Sequence, residues 1–185
     1  MIRSAIRPGD RVLELGSGLG VTTMTTARIV GAAALRSYEA NPRLIDPLVA
    51  NAARNGLDIR PINQVLLPYA SSQRKRTITF ADAGEFWAIS ALSENEGSSS
   101  FEVQTSCIED VIDDFGSNVL VMDIEGLEVE ILEQADLRSI EKIIVEIHYD
   151  KAGRRRTNAA VLGLLSRGFE IDFENTRSGV ILASR

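Results

Sequence analysis

Short apolar runs alternate with segments whose apolar positions recur every three or four residues, along nearly the whole chain. That alternation predicts strands and helices in turn, the signature of a doubly wound α/β sheet. Val12 to Leu15 reads as the first strand after a Pro8-Gly9-Asp10 turn, and Val21 to Val30 as a helix. Ala34 to Glu39 reads as the second strand; Pro42 then opens a helix at its favoured first-turn position, closed by Asn55-Gly56. Asp58 to Ile62 is a short third strand. Asn118 to Ile124 reads as a strand, and Val119 to Met122 in particular is apolar on both faces, as a central parallel strand must be. A helix starts at Gly126, a buried strand runs from Lys142 to His148, and a helix from Thr157 to Arg167. The segment between the last two strands, Phe169 to Phe173 and Val180 to Ser184, is too short for a crossover helix, so they form an antiparallel hairpin.

Residues 66–106 break the rhythm. Thr77 to Phe80 and Phe86 to Ile89 alternate in polarity, which predicts a β-rich insertion after strand three, and Ser93 to Ser100 reads as a polar loop. Phe86 and Trp87 either join a core or stack on a sugar ring. Doubly wound folds display loops at the carboxyl ends of their strands, so the insertion is placed to shape a substrate site. No internal repeat or linker divides the chain, and residues 1–185 read as one domain.

Composition narrows the partners. The 185 residues are 44% hydrophobic and 25% charged, ordinary for a globular domain. A net charge of −6 argues against nucleic acid, whose phosphates demand a Lys/Arg footprint. Arg74-Lys75-Arg76 and Arg154-Arg155-Arg156 are short and read as solvated faces, or else as local contacts for an anion or phospho-sugar. Cys107 is the only cysteine, so it is expected to pack as a small hydrophobe in a reducing compartment. No apolar run approaches the ~20 residues of a membrane span and no signal-peptide core follows Met1. A cytoplasmic protein without a membrane partner is expected.

The chemistry begins at Glu14-Leu15-Gly16-Ser17-Gly18-Leu19-Gly20. Glycines spaced two apart let the backbone turn sharply against a ligand, and the helix that follows aims its first amides at the same place. A dinucleotide fingerprint would need its third glycine where Val21 stands. Glu39, ending strand two, is placed to accept hydrogen bonds from both ribose hydroxyls of an adenosine, or else caps the helix at Pro42. Glu14 either accepts amide hydrogens of the turn or meets a cationic amino group of the cofactor. Asp123 and Glu125 stand where a buried strand breaks into a helix at Gly126; acids there are costly to bury without a partner.

The glycine turn resembles motif I of class I S-adenosylmethionine-dependent methyltransferases. The stretch Asp123-Ile124-Glu125-Gly126-Leu127-Glu128 through Leu132 resembles the D-x-E-G-x-E-x-x-x-L signature of the FkbM-type members of that class. Asn41-Pro42 after Glu39, and Val145 to His148, are similar to that family's strand-two and strand-five ends. The resemblance implies a Rossmann-like, seven-stranded methyltransferase sheet. It also implies that Gly16, Ser17, Gly18, Gly20 and Glu39 hold S-adenosylmethionine, with Glu14 at the same site. Asn63 or Gln64 would face the adenine edge, and Asp123 would lie near the sulfonium and the acceptor. Family members carry a longer segment, with a cofactor-covering helix, ahead of the strand that here follows Arg11. This chain is a short form, a truncated one, or one whose site another element closes.

The implied reaction is transfer of a methyl group to a hydroxyl of a sugar, or of a glycosylated or other natural product. His148, the only histidine, follows a buried strand at the carboxyl edge and is the expected general base. Glu125 competes for that role or positions the acceptor hydroxyl; Glu146 orients His148 or binds substrate. Asp123, Glu125, Glu146 and His148 would also suit a divalent cation, but each has a role without one, and no metal is expected. No Asn/Asp-Pro-Pro-Tyr/Phe run follows strand four, unlike enzymes that methylate amino groups of adenine or glutamine. Two other readings stand beside this one: a non-catalytic S-adenosylmethionine-binding module and a dinucleotide-dependent oxidoreductase.

Overall fold

In the computed structural model, which describes residues 1–82, 89–91 and 100–185, two sheets meet at one edge. The chain runs α1 (Ile2–Ala5), β1 (Val12–Leu15), α2 (Val21–Val30), β2 (Leu35–Tyr38), α3 (Pro42–Arg54), β3 (Val65–Leu67), α4 (Tyr69–Ser72), β4 (Thr77–Asp82), β5 (Ile89–Ala91) and β6 (Ser100–Cys107). It continues through α5 (Ile108–Phe115), β7 (Val119–Met122), α6 (Glu128–Gln134), β8 (Lys142–Glu146), α7 (Tyr149–Ala152), α8 (Arg154–Ser166), β9 (Glu170–Ile171) and β10 (Val180–Ser184).

The main sheet has the order β2-β1-β7-β8-β10-β9. Its first four strands are parallel, and β10 lies antiparallel to both β8 and β9, the expected terminal hairpin. The strand expected over residues 58–62 contributes a single parallel bridge, Ile62 to Tyr38, at the free edge of β2. Pro61 has no amide to donate to a ladder, and Asp58 and Arg60 turn outward into an exposed ion pair of 3.3 Å.

Side-chain alternation along the central strands sorts the core into two layers. Leu13, Leu15, Leu120, Met122, Ile143 and Val145 pack with Ile108 and Ile112 of α5, Ile131 and Leu132 of α6 and Leu164 of α8. Val12, Val121, Ile144 and Leu182 pack the other way, with Ala5 of α1 and Ile29 and Val30 of α2. Each fully buried Val, Leu, Ile or Met among them stabilises the fold by roughly 1.5–3 kcal/mol. Helix α5 is not among the predicted elements, although Ile108, Ile112 and Phe115 follow a helical spacing and Gly116 closes it in a left-handed conformation. Cys107 is buried where β6 meets this helix.

The insertion forms the second sheet, β3-β6-β4-β5, as its alternating pattern predicts. Phe80 stacks on Phe101 with ring centroids 5.8 Å apart. Phe86, Trp87 and most of the polar run Ser93 to Ser100 lie outside the described residues. Of the basic runs, Arg156 pairs with Glu133 at 2.7 Å and Arg154 sits over the Tyr149 ring. Among the described residues no helix is long and apolar enough to cross a membrane. Because β1, β2, β7 and β8 run parallel, the segments after Leu15, Tyr38, Met122 and Glu146 emerge along one edge, against the insertion.

Candidate active site

After β1 the chain reverses through Gly16, Gly18 and Gly20, at φ of 83°, 53° and 89°. At Gly16 the absence of a side chain is a packing requirement: a Cβ would lie 1.7 Å from the carbonyl oxygen of Asp123. The turn is pressed against the segment after β7, and the Asp123 amide donates to Leu15 O at 3.0 Å. Asp123 is thereby delivered to the glycine turn.

Most of the turn's amides are satisfied from β2. Gly16 and Ser17 donate to Tyr38 O at 2.9 and 3.2 Å, and Gly18 donates to Glu39 Oε2 at 2.7 Å. The other Glu39 oxygen accepts from the Asn41 amide at 2.8 Å. Glu39 is 6% exposed and therefore not a surface acid, and the cap of α3 is Asn41, whose side chain accepts from the Arg43 amide at 3.0 Å. Burial pushes the Glu39 carboxyl above its usual range, while the amides of Asn41 and Gly18 work against that shift.

Glu14 does not accept amides of the turn; that expectation is corrected by the geometry, since Tyr38 and Glu39 have taken them. It lies fully buried beneath, and neither oxygen makes a hydrogen bond of ordinary geometry. Burial raises its pKa to about 8, opposed by the neighbouring Thr23 hydroxyl and reinforced by the charges of Glu39 and Asp123. At neutral pH it is mostly an uncharged acid.

A cavity of about 270 Å³ opens at this edge. Gly16, Gly18, Glu39, Gln64, Asp123 and Glu125 line it, with an apolar wall that includes Leu19, Leu44, Leu66, Phe80 and Leu127. Other residues singled out from the sequence stand behind this surface. Ser17 Oγ donates to Tyr38 O at 3.1 Å. Gly20 lets the turn approach Leu48, which a Cβ would meet at 3.0 Å. The Asn63 amide group donates to the carbonyls of Glu39 and Ala40 at 2.8 and 2.9 Å and so props the segment after β2. Of Asn63 and Gln64, only Gln64 reaches the cavity wall. Phe80 carries no chemical signature in the sequence; only the packing of the two sheets reveals it as a wall residue.

Beyond Asp123 lies a cluster of acids around the one histidine. His148 Nε2 is 3.8 Å from both Asp123 Oδ1 and Glu125 Oε1, within ion-pair range but beyond hydrogen-bond distance. His148 Nδ1 is 2.6 Å from Glu128 Oε1. Burial alone would lower the His148 pKa, but the Glu128 hydrogen bond and the surrounding carboxylates outweigh it and raise it. Asp123 is lifted to about 6, by desolvation first and then by Glu146, Glu125 and Glu128, with His148 opposing. Glu125 has a left-handed backbone, φ 53°, unusual for a residue with a side chain. Glu128 is the member to which sequence reasoning gave no site role: it stands in the signature stretch beside Asp123 and Glu125, but nothing local shows that its side chain meets His148, 20 residues away.

This architecture agrees with what residues 21–171 match, the methyltransferase FkbM domain. The chain belongs to the FkbM methyltransferase family. The fold of this FkbM-type protein is also that of solved methyltransferases. A protein described as an rRNA-methylase from Clostridium thermocellum shares 12% identity and a TM-score of 0.55, covering 99% of this chain and 90% of its own. A ribosomal protein L11 methylase from Lactobacillus delbrueckii shares 15% identity and a TM-score of 0.51, covering 98% and 71%. A precorrin-6y C5,15-methyltransferase from Geobacter metallireducens shares 13% identity and a TM-score of 0.51, covering 97% and 82%. Comparison with curated proteins finds no match. The names of the three structural neighbours span different acceptors, so the likeness speaks for the fold alone.

The family's cofactor is S-adenosylmethionine, and the residues present suit it. Each Glu39 oxygen holds one amide and keeps capacity to accept from a ribose hydroxyl. The apolar wall suits a flat base, and Asp123 and Glu125 place negative charge at the other end, where a sulfonium is positive. Asp123, Glu125 and His148 also offer ligand atoms within 4.8 Å of one another, a donor set a divalent cation would accept.

Proposed function

We propose that this FkbM-type methyltransferase methylates a hydroxyl group of a carbohydrate or of a glycosylated or other natural product. The observation that carries this reading is the His148 cluster at the acidic end of the cavity, a proton acceptor beside two carboxylates. S-adenosylmethionine, when bound, supplies a methyl carbon made electrophilic by its sulfonium.

The chain's own residues do the rest. Glu39 accepts both ribose hydroxyls, and Gln64, whose Oε1 already accepts from Ser106 at 2.9 Å, offers its amide hydrogens to the adenine edge. Asp123 and Glu125 accept hydrogen bonds from the acceptor's hydroxyls and orient one of them; Glu146 extends this surface. His148 takes the hydroxyl proton at Nε2 as the oxygen becomes nucleophilic. Three carboxyl groups around one imidazole disfavour an anionic acceptor and favour a neutral polyol.

Calorimetric titration with S-adenosylhomocysteine tests the cofactor half. Glu39→Gln should weaken binding by about 10–100-fold, the loss of charge-assisted bonds; unchanged affinity would remove Glu39 from the ribose site. Labelled-methyl transfer across a panel of sugars and glycosides tests the acceptor half, and product methylated only at nitrogen would refute it. Transfer is expected to survive EDTA. Loss of activity that magnesium restores would turn the Asp123–Glu125–His148 group from a proton-handling site into a cation site.

A further inference from the structure

Glu128 is the most enclosed acid of the cluster, with a side chain 1% exposed, and it lies outside the cavity wall. We propose that Glu128 is the positioning residue of the acceptor end, fixing the tautomer and orientation of His148 and holding the turn that presents Glu125. This rests on the reading of His148 as proton acceptor and deepens it.

Three donors converge on this one carboxylate. Oε1 takes His148 Nδ1 at 2.6 Å and the Ile124 amide at 3.3 Å, and Oε2 takes the Gly126 amide at 2.8 Å. Backbone amides donate to both of its oxygens, so the group acts as an acceptor and the proton between it and the imidazole belongs to Nδ1. The lone pair of neutral His148 is then on Nε2, the nitrogen that faces Asp123 and Glu125 without bonding either. The two amides flank Glu125, whose left-handed φ of 53° is a conformation that persists only where surrounding contacts impose it. Gly126, at φ 116°, cannot bear a side chain here, because a Cβ would come within 2.6 Å of Lys151 Cβ. One buried side chain from the first turn of α6 therefore governs both the base and the carboxylate opposite it.

His148 is the only histidine, so a protein labelled with 15N gives a single imidazole without assignment. At a pH where the ring is neutral, wild type should show a protonated Nδ1 and an unprotonated Nε2. Glu128→Gln can donate to Nδ1 instead and should move the proton to Nε2. It should lower kcat on the order of 100-fold or more, as a wrong tautomer does in other histidine-dependent sites, with S-adenosylhomocysteine affinity kept. Glu128→Asp should restore the wild-type tautomer and part of the rate. A wild-type spectrum with the proton on Nε2 would overturn the proposal without any variant, as would a Glu128→Gln enzyme with normal kcat. If the tautomer is as stated and His148→Ala keeps full activity, it is the base assignment that fails, and the positioning of His148 stands.

Discussion

His148→Ala is expected to reduce kcat by about 10²–10⁴-fold, the usual contribution of a positioned general base, while S-adenosylhomocysteine binds as to wild type. The side chain lies outside the cavity wall, so its loss should leave the cofactor's contacts alone. The pH dependence gives a second readout. A base works in its neutral form, and the carboxylates around His148 raise its pKa above the ordinary histidine value. The rate of wild type should therefore climb with pH through that raised value, and the climb should vanish in the alanine variant. Single-turnover rates measured across pH with an unmethylated acceptor that the wild type methylates test both; a variant with wild-type kcat and an unchanged profile would remove His148 from the chemistry.

Gly16→Ala should abolish cofactor binding in the working range, a loss of 100-fold or more, and lower Tm. Two penalties act together. A φ of 83° costs a residue with a Cβ roughly 1–2 kcal/mol, and that Cβ would stand 1.7 Å from the Asp123 carbonyl oxygen. The obstacle is backbone in a segment anchored to β1, so the turn must lift away from it, and overpacking of this kind costs about 1–3 kcal/mol more. In a chain of this size 1 kcal/mol corresponds to about 2–4 °C in Tm. Gly18→Ala is the control: it shares the positive φ, but nothing lies within 4 Å of the added carbon. Calorimetric titration and thermal melts of both variants decide the matter. Equal effects at the two positions would show that conformation, and not close approach, is what Gly16 provides.

Much of the fold was legible because it is encoded locally. Val119 to Met122 has no polar face to give to solvent and Val12 to Leu15 is apolar but for Glu14, so they become adjacent central strands. Pro42 and Asn41 begin α3 as their backbone preferences dictate. The glycine turn and Glu39 end up bonded to each other, Gly18 to Oε2. Where the sequence misled, the cause was a competing local effect or a distant one. Pro61 shortened strand three to a bridge, a local effect that outweighed the apolar character of Ile59 and Ile62. Glu14 lost the turn amides to Tyr38 and Glu39, groups from a different strand.

The sequence by itself determined the alternation of elements, the glycine turn after β1 and the acid-bearing break after β7, because these follow from backbone preferences and side-chain periodicity within a few residues. The tertiary structure decided which acids are buried and which are exposed. Asp123, Glu125 and Glu128 sit within one short stretch, yet their side chains are 54%, 46% and 1% exposed. A carboxyl group's role follows from its solvation and its neighbours, and those come from His148, β1 and the insertion, none of them adjacent in the chain. The cavity wall at Phe80 exists only once the two sheets have met, and the neutral acid at Glu14 and the grip of Glu128 on His148 only once distant parts of the main sheet have packed together.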